Sequence, residues 1–114
     1  MDDQTAIVLI RAIREHSGLE LAAIRDAGTY GADTGFGGFT YTTDGAEFTD
    51  NNSALIDGLL QDDADEFGHK SVAEFVATFN RADMADTIDG YKCLLSWYAL
   101  EAAGRWLNDR HESR

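Results

Sequence analysis

One segment of the chain has the residue types of a calcium-binding loop. Residues 63–74 place acids, a glycine and a final glutamate where an EF-hand loop needs them, at Asp63, Asp65, Gly68 and Glu74. The fifth position, however, is Phe67, which has no side-chain oxygen to offer a cation. Ser71 and Glu74 also have the spacing of a helix capping box, which explains them without a metal. We therefore predict no metal site here.

Other candidate catalytic groups are scattered. The single cysteine, Cys93, has no histidine near it in sequence and is typical of a small buried apolar residue. The three histidines have no metal-ligand spacing. The glycine-rich residues 28–38 lead into a predicted strand, whereas phosphate loops lead into a helix N-terminus. We predict no catalytic residue, cofactor or metal, and a protein that is not an enzyme; a metal-dependent enzyme is a third, weaker hypothesis.

The acidic residues are unevenly distributed. The net charge is −12, and residues 26–69 contain ten of the 21 acids but no Lys or Arg. Segregated acidity favours a charged face over general solvation, which remains the alternative. We predict that this face binds a partner through seven acids: Asp44, Glu47, Asp50, Asp57, Asp62, Asp65 and Glu66.

The elements that would position these acids are mostly helical. Apolar spacing predicts five helices, and they cover about residues 4–16, 17–28, 52–67, 71–80 and 88–107. A capping box of Ser17 and Glu20 starts the second helix, Gly28 ends it, and Thr87 or Asp86 caps the last. Residues 6–10 form an apolar block wider than one stripe, which predicts a well-buried first helix. We expect one domain over residues 1–114, with a frayed tail from residue 107.

A β-hairpin is predicted between the second and third helices. Phe39–Thr43 and Ala46–Asp50 flank Asp44-Gly45, a strong signal for a type I′ turn. The fold class is therefore α+β, mostly helical, with about five helices and this one hairpin. Tyr41 and Phe48 would lie on the aromatic face of the hairpin, and we include both among the partner-binding residues.

Three stretches resemble a family of small acidic proteins of tailed phages and mobile elements, whose function is unassigned. They are residues 30–41, 73–79 and 92–101, within a resemblance that spans about residues 28–107. The resemblance implies a genomic setting and carries no catalytic residues. In overall character, such proteins are similar to anti-CRISPR and anti-restriction inhibitors, some of which present carboxylates where a nuclease expects phosphates.

The leading hypothesis is a non-enzymatic inhibitor, such as a DNA mimic, acting in the cytoplasm of the host cell. Its partner would be a basic, nucleic-acid-binding surface of a defence complex such as a CRISPR effector. The acidic face argues against direct binding to nucleic acid, and no apolar run is long enough to cross a membrane. The alternative is a phage accessory or structural protein that self-associates, as a homodimer for example, through the aromatic hairpin.

Overall fold

A 25-residue C-terminal helix forms the centre of the protein, and the other helices pack around it. The structure, a computed structural model, describes residues 1–32 and 43–112. Within these ranges lie six α-helices: α1 (Asp3–Ser17), α2 (Leu21–Tyr30), α3 (Thr43–Asn51), α4 (Ser53–Glu66), α5 (Val72–Val76) and α6 (Ile88–Glu112). A short 3₁₀ helix, Ala82–Asp86, precedes α6.

Helix α6 is central because its middle is apolar on all sides. Every residue from Cys93 to Leu100 is buried, so no side of this stretch faces water. Thr87 caps the helix as predicted, since its Oγ1 accepts a hydrogen bond from the Gly90 amide at 3.0 Å. The helix also continues past Leu107, where we expected a frayed tail. Asn108 Nδ2 donates to the Arg25 carbonyl at 3.1 Å and thereby ties this end of α6 to α2.

The predicted β-hairpin is wrong, and with it the α+β fold class. The proposed turn and second strand, residues 44–50, lie in α3, while the proposed first strand falls almost entirely outside the described residues. Gly45, Phe48 and Thr49 recur at helical spacing and are all buried, and α3 packs against α6. The Thr49 hydroxyl lies 2.6 Å from the Lys92 carbonyl of α6. Tertiary packing has overridden the local turn preference of Asp44-Gly45.

The sequence indicated that Gly28 ends α2, but the helix continues past it. Gly28 instead allows α2 to cross α6 at close range. A Cβ atom on Gly28 would lie 2.3 Å from the backbone carbon of Gly104, and one on Gly104 would lie 2.2 Å from the Ile24 carbonyl oxygen. Both distances are far inside van der Waals contact, so only glycine fits at these two positions. Helix α2 instead ends at Gly31, which has a positive φ of 95°.

The start of α2 and the burial of α1 also differ from expectation. The Ser17–Glu20 capping box does not form, because Ser17 belongs to α1 and its hydroxyl donates to the Ile13 carbonyl at 2.7 Å. Only one side of α1 reaches the core. Ile7 and Val8 are consequently 51% and 45% exposed. The apolar block of residues 6–10 is therefore wider than the side of α1 that packs against the core.

The second predicted capping box is confirmed at Ser71, which caps α5, while Glu74 reaches back to the amide of Lys70 rather than to that of Ser71. The Ser71 hydroxyl accepts a hydrogen bond from the Glu74 amide at 3.1 Å, and Glu74 Oε2 accepts one from the Lys70 amide at 2.6 Å. Helix α4 begins within a residue of its predicted start and buries Ile56, Leu59 and Leu60, as its apolar spacing indicated.

Gly104→Ala should destabilise the protein, because the added methyl group must push α2 away from α6. Overpacking of this kind costs about 1–3 kcal/mol or more, which exceeds the gain of about 1 kcal/mol in helix propensity from glycine to alanine. Urea unfolding measures the change. Gly58→Ala is the matched control, since Gly58 lies within α4 with nothing within 4 Å of the added Cβ, and it should be neutral or stabilising. Equal stability of Gly104→Ala and the parent would contradict the proposed role of this crossing.

Candidate interaction surface and aromatic pocket

The seven acids predicted to bind a partner are all exposed on α3 and α4. We call this set the acidic surface: Asp44, Glu47, Asp50, Asp57, Asp62, Asp65 and Glu66. On α3, the three acids follow one another at intervals of three residues, on the side opposite the buried residues. On α4, Asp62 and Asp65 lie opposite the core, while Asp57 and Glu66 flank them on either side. The acids therefore spread over the outer side of α4 from Asp57 onward rather than along a narrow stripe.

Only Asp50 of the acidic surface forms an ion pair within the described part of the chain. Lys92 Nζ lies 2.8 Å from Asp50 Oδ1, and this carboxylate raises the pKa of Lys92 above its ordinary value through a hydrogen bond and its charge. The pair links α3 to α6. Asp65 Oδ1 accepts a hydrogen bond from Gln61, a neutral group. Most of the negative charge on this surface is therefore left to water or to another molecule.

Neither of the two aromatic residues predicted to bind the partner is found on the surface of the described part of the chain. Phe48 has 0% exposure and packs edge-on against His16, with the ring centroids 5.6 Å apart. Tyr41 lies outside the described residues. Because Phe48 is a core residue, it has no surface to offer a partner in this fold.

Sequence reasoning missed a pocket between α4, α5 and α6. Its volume is about 280 Å³, and five of the ten residues that line it are aromatic: Phe67, Phe75, Phe79, Trp97 and Tyr98. Phe75 stacks on Phe67 and meets Phe79 edge-on, and Phe79 stacks on Tyr98. The signal in the sequence was the concentration of three phenylalanines in residues 67–79.

Three charged side chains line the same pocket: Asp63, Glu101 and Arg105. The Tyr98 hydroxyl donates a short hydrogen bond to Asp63 Oδ2, which explains how an acid sits on the inner side of α4. Burial raises the pKa of Tyr98 strongly, and the Asp63 carboxylate raises it further, so this hydroxyl stays protonated. Glu101 Oε1 accepts the Ala32 amide at 2.9 Å, while Glu101 Oε2 lies 4.0 Å from Arg105.

Residues 63–74 do not form the calcium-binding loop that their sequence resembles. Asp63 lies within α4 and is bonded to Tyr98, and the Glu74 side chain turns back to the Lys70 amide. Within residues 1–32 and 43–112, no group of three or more metal-ligating side chains is placed to hold an ion. Cys93 is buried as expected, and this burial raises the pKa of its thiol, which disfavours the nucleophilic thiolate.

Comparisons with protein-family models, curated proteins and solved structures find no match to this chain. The similarity to phage proteins therefore stays a prediction. No helix in the described ranges is long and apolar enough to span a membrane.

The Tyr98–Asp63 pair should make the protein less stable at alkaline pH. The folded-state pKa of Tyr98 is raised, so its contribution is complete below about pH 10, the ordinary tyrosine pKa, and is lost as the pH rises further. One proton corresponds to a slope of about 1.4 kcal/mol per pH unit. Tyr98→Phe should flatten the decline in unfolding free energy by about this amount, as measured by urea titrations between about pH 10 and 11.

The matched control is Tyr30→Phe, because the Tyr30 side chain is 71% exposed. This change should leave the slope of the parent protein unaltered. An equally steep decline in Tyr98→Phe would show that the buried hydroxyl is not the group that titrates.

Proposed function

We propose that this protein is a non-enzymatic inhibitor whose acidic surface docks on a basic, nucleic-acid-binding surface of another protein. The observation that carries the proposal is the placement of seven exposed carboxylates on two consecutive helices, with only Asp50 paired to a basic side chain in the described ranges. Surfaces that bind DNA offer rows of Lys and Arg to phosphates. A host defence complex such as a CRISPR effector is the first target class to test, given the resemblance to phage proteins.

The helical setting of the acids supports binding rather than solvation alone. Helices α3 and α4 bury their other sides in the core, so the carboxylates stand on a fixed scaffold. Fixed charges lose less conformational freedom on association than charges on a mobile segment. They also attract a basic partner from a distance, which speeds the encounter.

The charge density of α3 and α4 sets how much of a nucleic acid they can replace. Acids three residues apart on a helix are separated by about 4.5 Å along its axis, whereas duplex DNA carries one charge per about 1.7 Å. The acidic surface is therefore sparser than DNA. It would compete for part of a basic groove rather than fill a long one.

Self-association remains the second candidate, although its predicted hairpin is absent. The observation that favours it is the apolar exposure of Ile7, Val8 and Leu21, the last of which is 41% exposed. Ile7 and Leu21 border the same shallow groove between α1 and α2. Sedimentation equilibrium separates the two candidates, because a self-associating protein gives a mass that rises with concentration.

Asp62→Lys combined with Asp65→Lys should abolish inhibition while leaving the fold intact. Both side chains are exposed, so the free energy of unfolding should change by no more than about 0.5 kcal/mol per site. Against a basic groove each reversal replaces attraction with repulsion, which should weaken binding by at least about tenfold. The measurement is displacement of fluorescent duplex DNA from purified CRISPR effectors and other basic nucleic-acid-binding proteins.

The matched control is Glu15→Lys combined with Asp109→Lys, which makes the same change in net charge on exposed residues outside the acidic surface. It should inhibit as well as the parent protein. Equal displacement of DNA by the parent and by the Asp62/Asp65 variant would assign the acids to solvation. Failure of the parent to displace DNA from any member of the panel would refute the proposed target chemistry.

A further inference from the structure

The pocket between α4, α5 and α6 adjoins the acidic surface. Asp63, on the inner side of α4, lines the pocket and follows Asp62 in sequence, and Phe67, which follows Glu66 and also lines the pocket, is 63% exposed. The pocket thus lies next to the C-terminal end of the acidic surface. The pocket has no role in the proposed function as stated above, and its chemistry points to a specific ligand.

The walls of the pocket favour a cation. The faces of phenylalanine, tyrosine and tryptophan rings carry partial negative charge and attract Lys or Arg within about 6 Å. The pocket has five such rings and two carboxylates, Asp63 and Glu101, against a single base, Arg105. Arg105 is 53% exposed and lies 4.0 Å from Glu101, so it neutralises one carboxylate only loosely.

The carboxylates retain acceptor capacity. Asp63 receives the Tyr98 hydroxyl on Oδ2, and no described residue donates to its other oxygen. Glu101 holds the Ala32 amide through Oε1, which leaves Oε2 facing Arg105. The C-terminal end of α4 lies beside them and adds its partial negative charge. An anionic ligand would be repelled by these carboxylates, and Arg105 is the one basic side chain among the lining residues that could pair with it.

The size of the pocket selects a small cation. Its volume of about 280 Å³ lies just below the range of about 300–1,000 Å³ for sites that hold drug-sized ligands. A nucleotide or a folded segment does not suit such a space. A planar guanidinium group does, because it can stack on an aromatic ring and donate to carboxylates at its edge.

We propose that this pocket binds a guanidinium group, supplied as an arginine side chain by the basic partner of the acidic surface. This inference rests on the proposed function for the source of the arginine, but recognition of the guanidinium group belongs to the pocket alone. Asp63 and Glu101 accept its hydrogen bonds, and the contacting rings of Phe75, Phe79 and Tyr98 form the aromatic wall beside it.

The test uses the isolated protein and needs no partner. The probe is N-acetyl-arginine amide, and N-acetyl-citrulline amide is its neutral counterpart of nearly the same shape. Proton–nitrogen NMR follows the indole signal of Trp97, which lines the pocket, with that of Trp106 as reference because Arg110 already covers its ring. The arginine probe should shift the Trp97 signal saturably, and citrulline should bind at least about tenfold more weakly.

Two variants assign the charge selectivity to the pocket. Asp63→Asn and Glu101→Gln each remove one charge but keep an oxygen for Tyr98 or Ala32, and each should weaken the arginine probe by about threefold or more. Glu47→Gln on α3 removes the same charge outside the pocket and should change binding little. Melting curves establish that all three variants fold.

Several results would overturn the inference. They are the absence of a saturable Trp97 shift, equal binding of citrulline and arginine, tighter binding of an N-acetyl-glutamate amide probe, and unchanged affinity in both pocket variants. If the parent displaces DNA from a target but the pocket does not bind the arginine probe, the proposal for the pocket fails and the proposed role of the acidic surface is retained. Arginine binding without any displacement of DNA would leave the pocket intact and remove the proposed function.

Discussion

The close crossing of α2 and α6 at Gly28 and Gly104 is the constraint on which the other contacts depend. A Cβ atom at either glycine would overlap the opposite backbone, so the two helix backbones are in direct contact at this point. Asn108 continues the same contact one turn further along α6, where its side chain holds the Arg25 carbonyl. With one side of α6 occupied in this way, the remaining apolar sides of its middle must be covered by α1, α3, α4 and α5.

The acidic surface is a consequence of that enclosure. Residues 43–66 have enough apolar positions to cover α6 on one side only, with Phe48, Ile56 and Leu60 fully inside. The acids between them then face outward because ionised carboxylates are rarely buried without a partner. Asp63 is the exception on the inner side of α4, and the Tyr98 hydroxyl compensates its position. The same helix thus supplies both the acidic surface and one wall of the pocket.

The sequence predicted the features that local chemistry decides and missed those that depend on distant residues. The Ser71 cap and the bounds of α4 followed from spacing of three or four residues, and the Thr87 cap and the burial of Cys93 followed from residue type and near neighbours in sequence. Asp44-Gly45 was predicted to form a turn because that prediction uses only two adjacent residues. The helix observed there depends instead on contacts with Lys92 and the rest of α6. The pocket was missed for the same reason, since its rings come from segments separated by about twenty residues.

The acidic surface and the pocket would act on different steps of binding. Exposed carboxylates are screened beyond about 8 Å at physiological salt, so the acidic surface would mainly set the rate at which a basic partner arrives. A cation enclosed by aromatic rings is partly removed from water and from screening ions, which strengthens its attraction to Asp63 and Glu101. Its release requires breaking those contacts, so the pocket would mainly set the rate of dissociation. A broad charged surface attracts many basic proteins with little specificity. The pocket would then give specificity, because only a partner that presents a side chain of the right shape would bind there tightly.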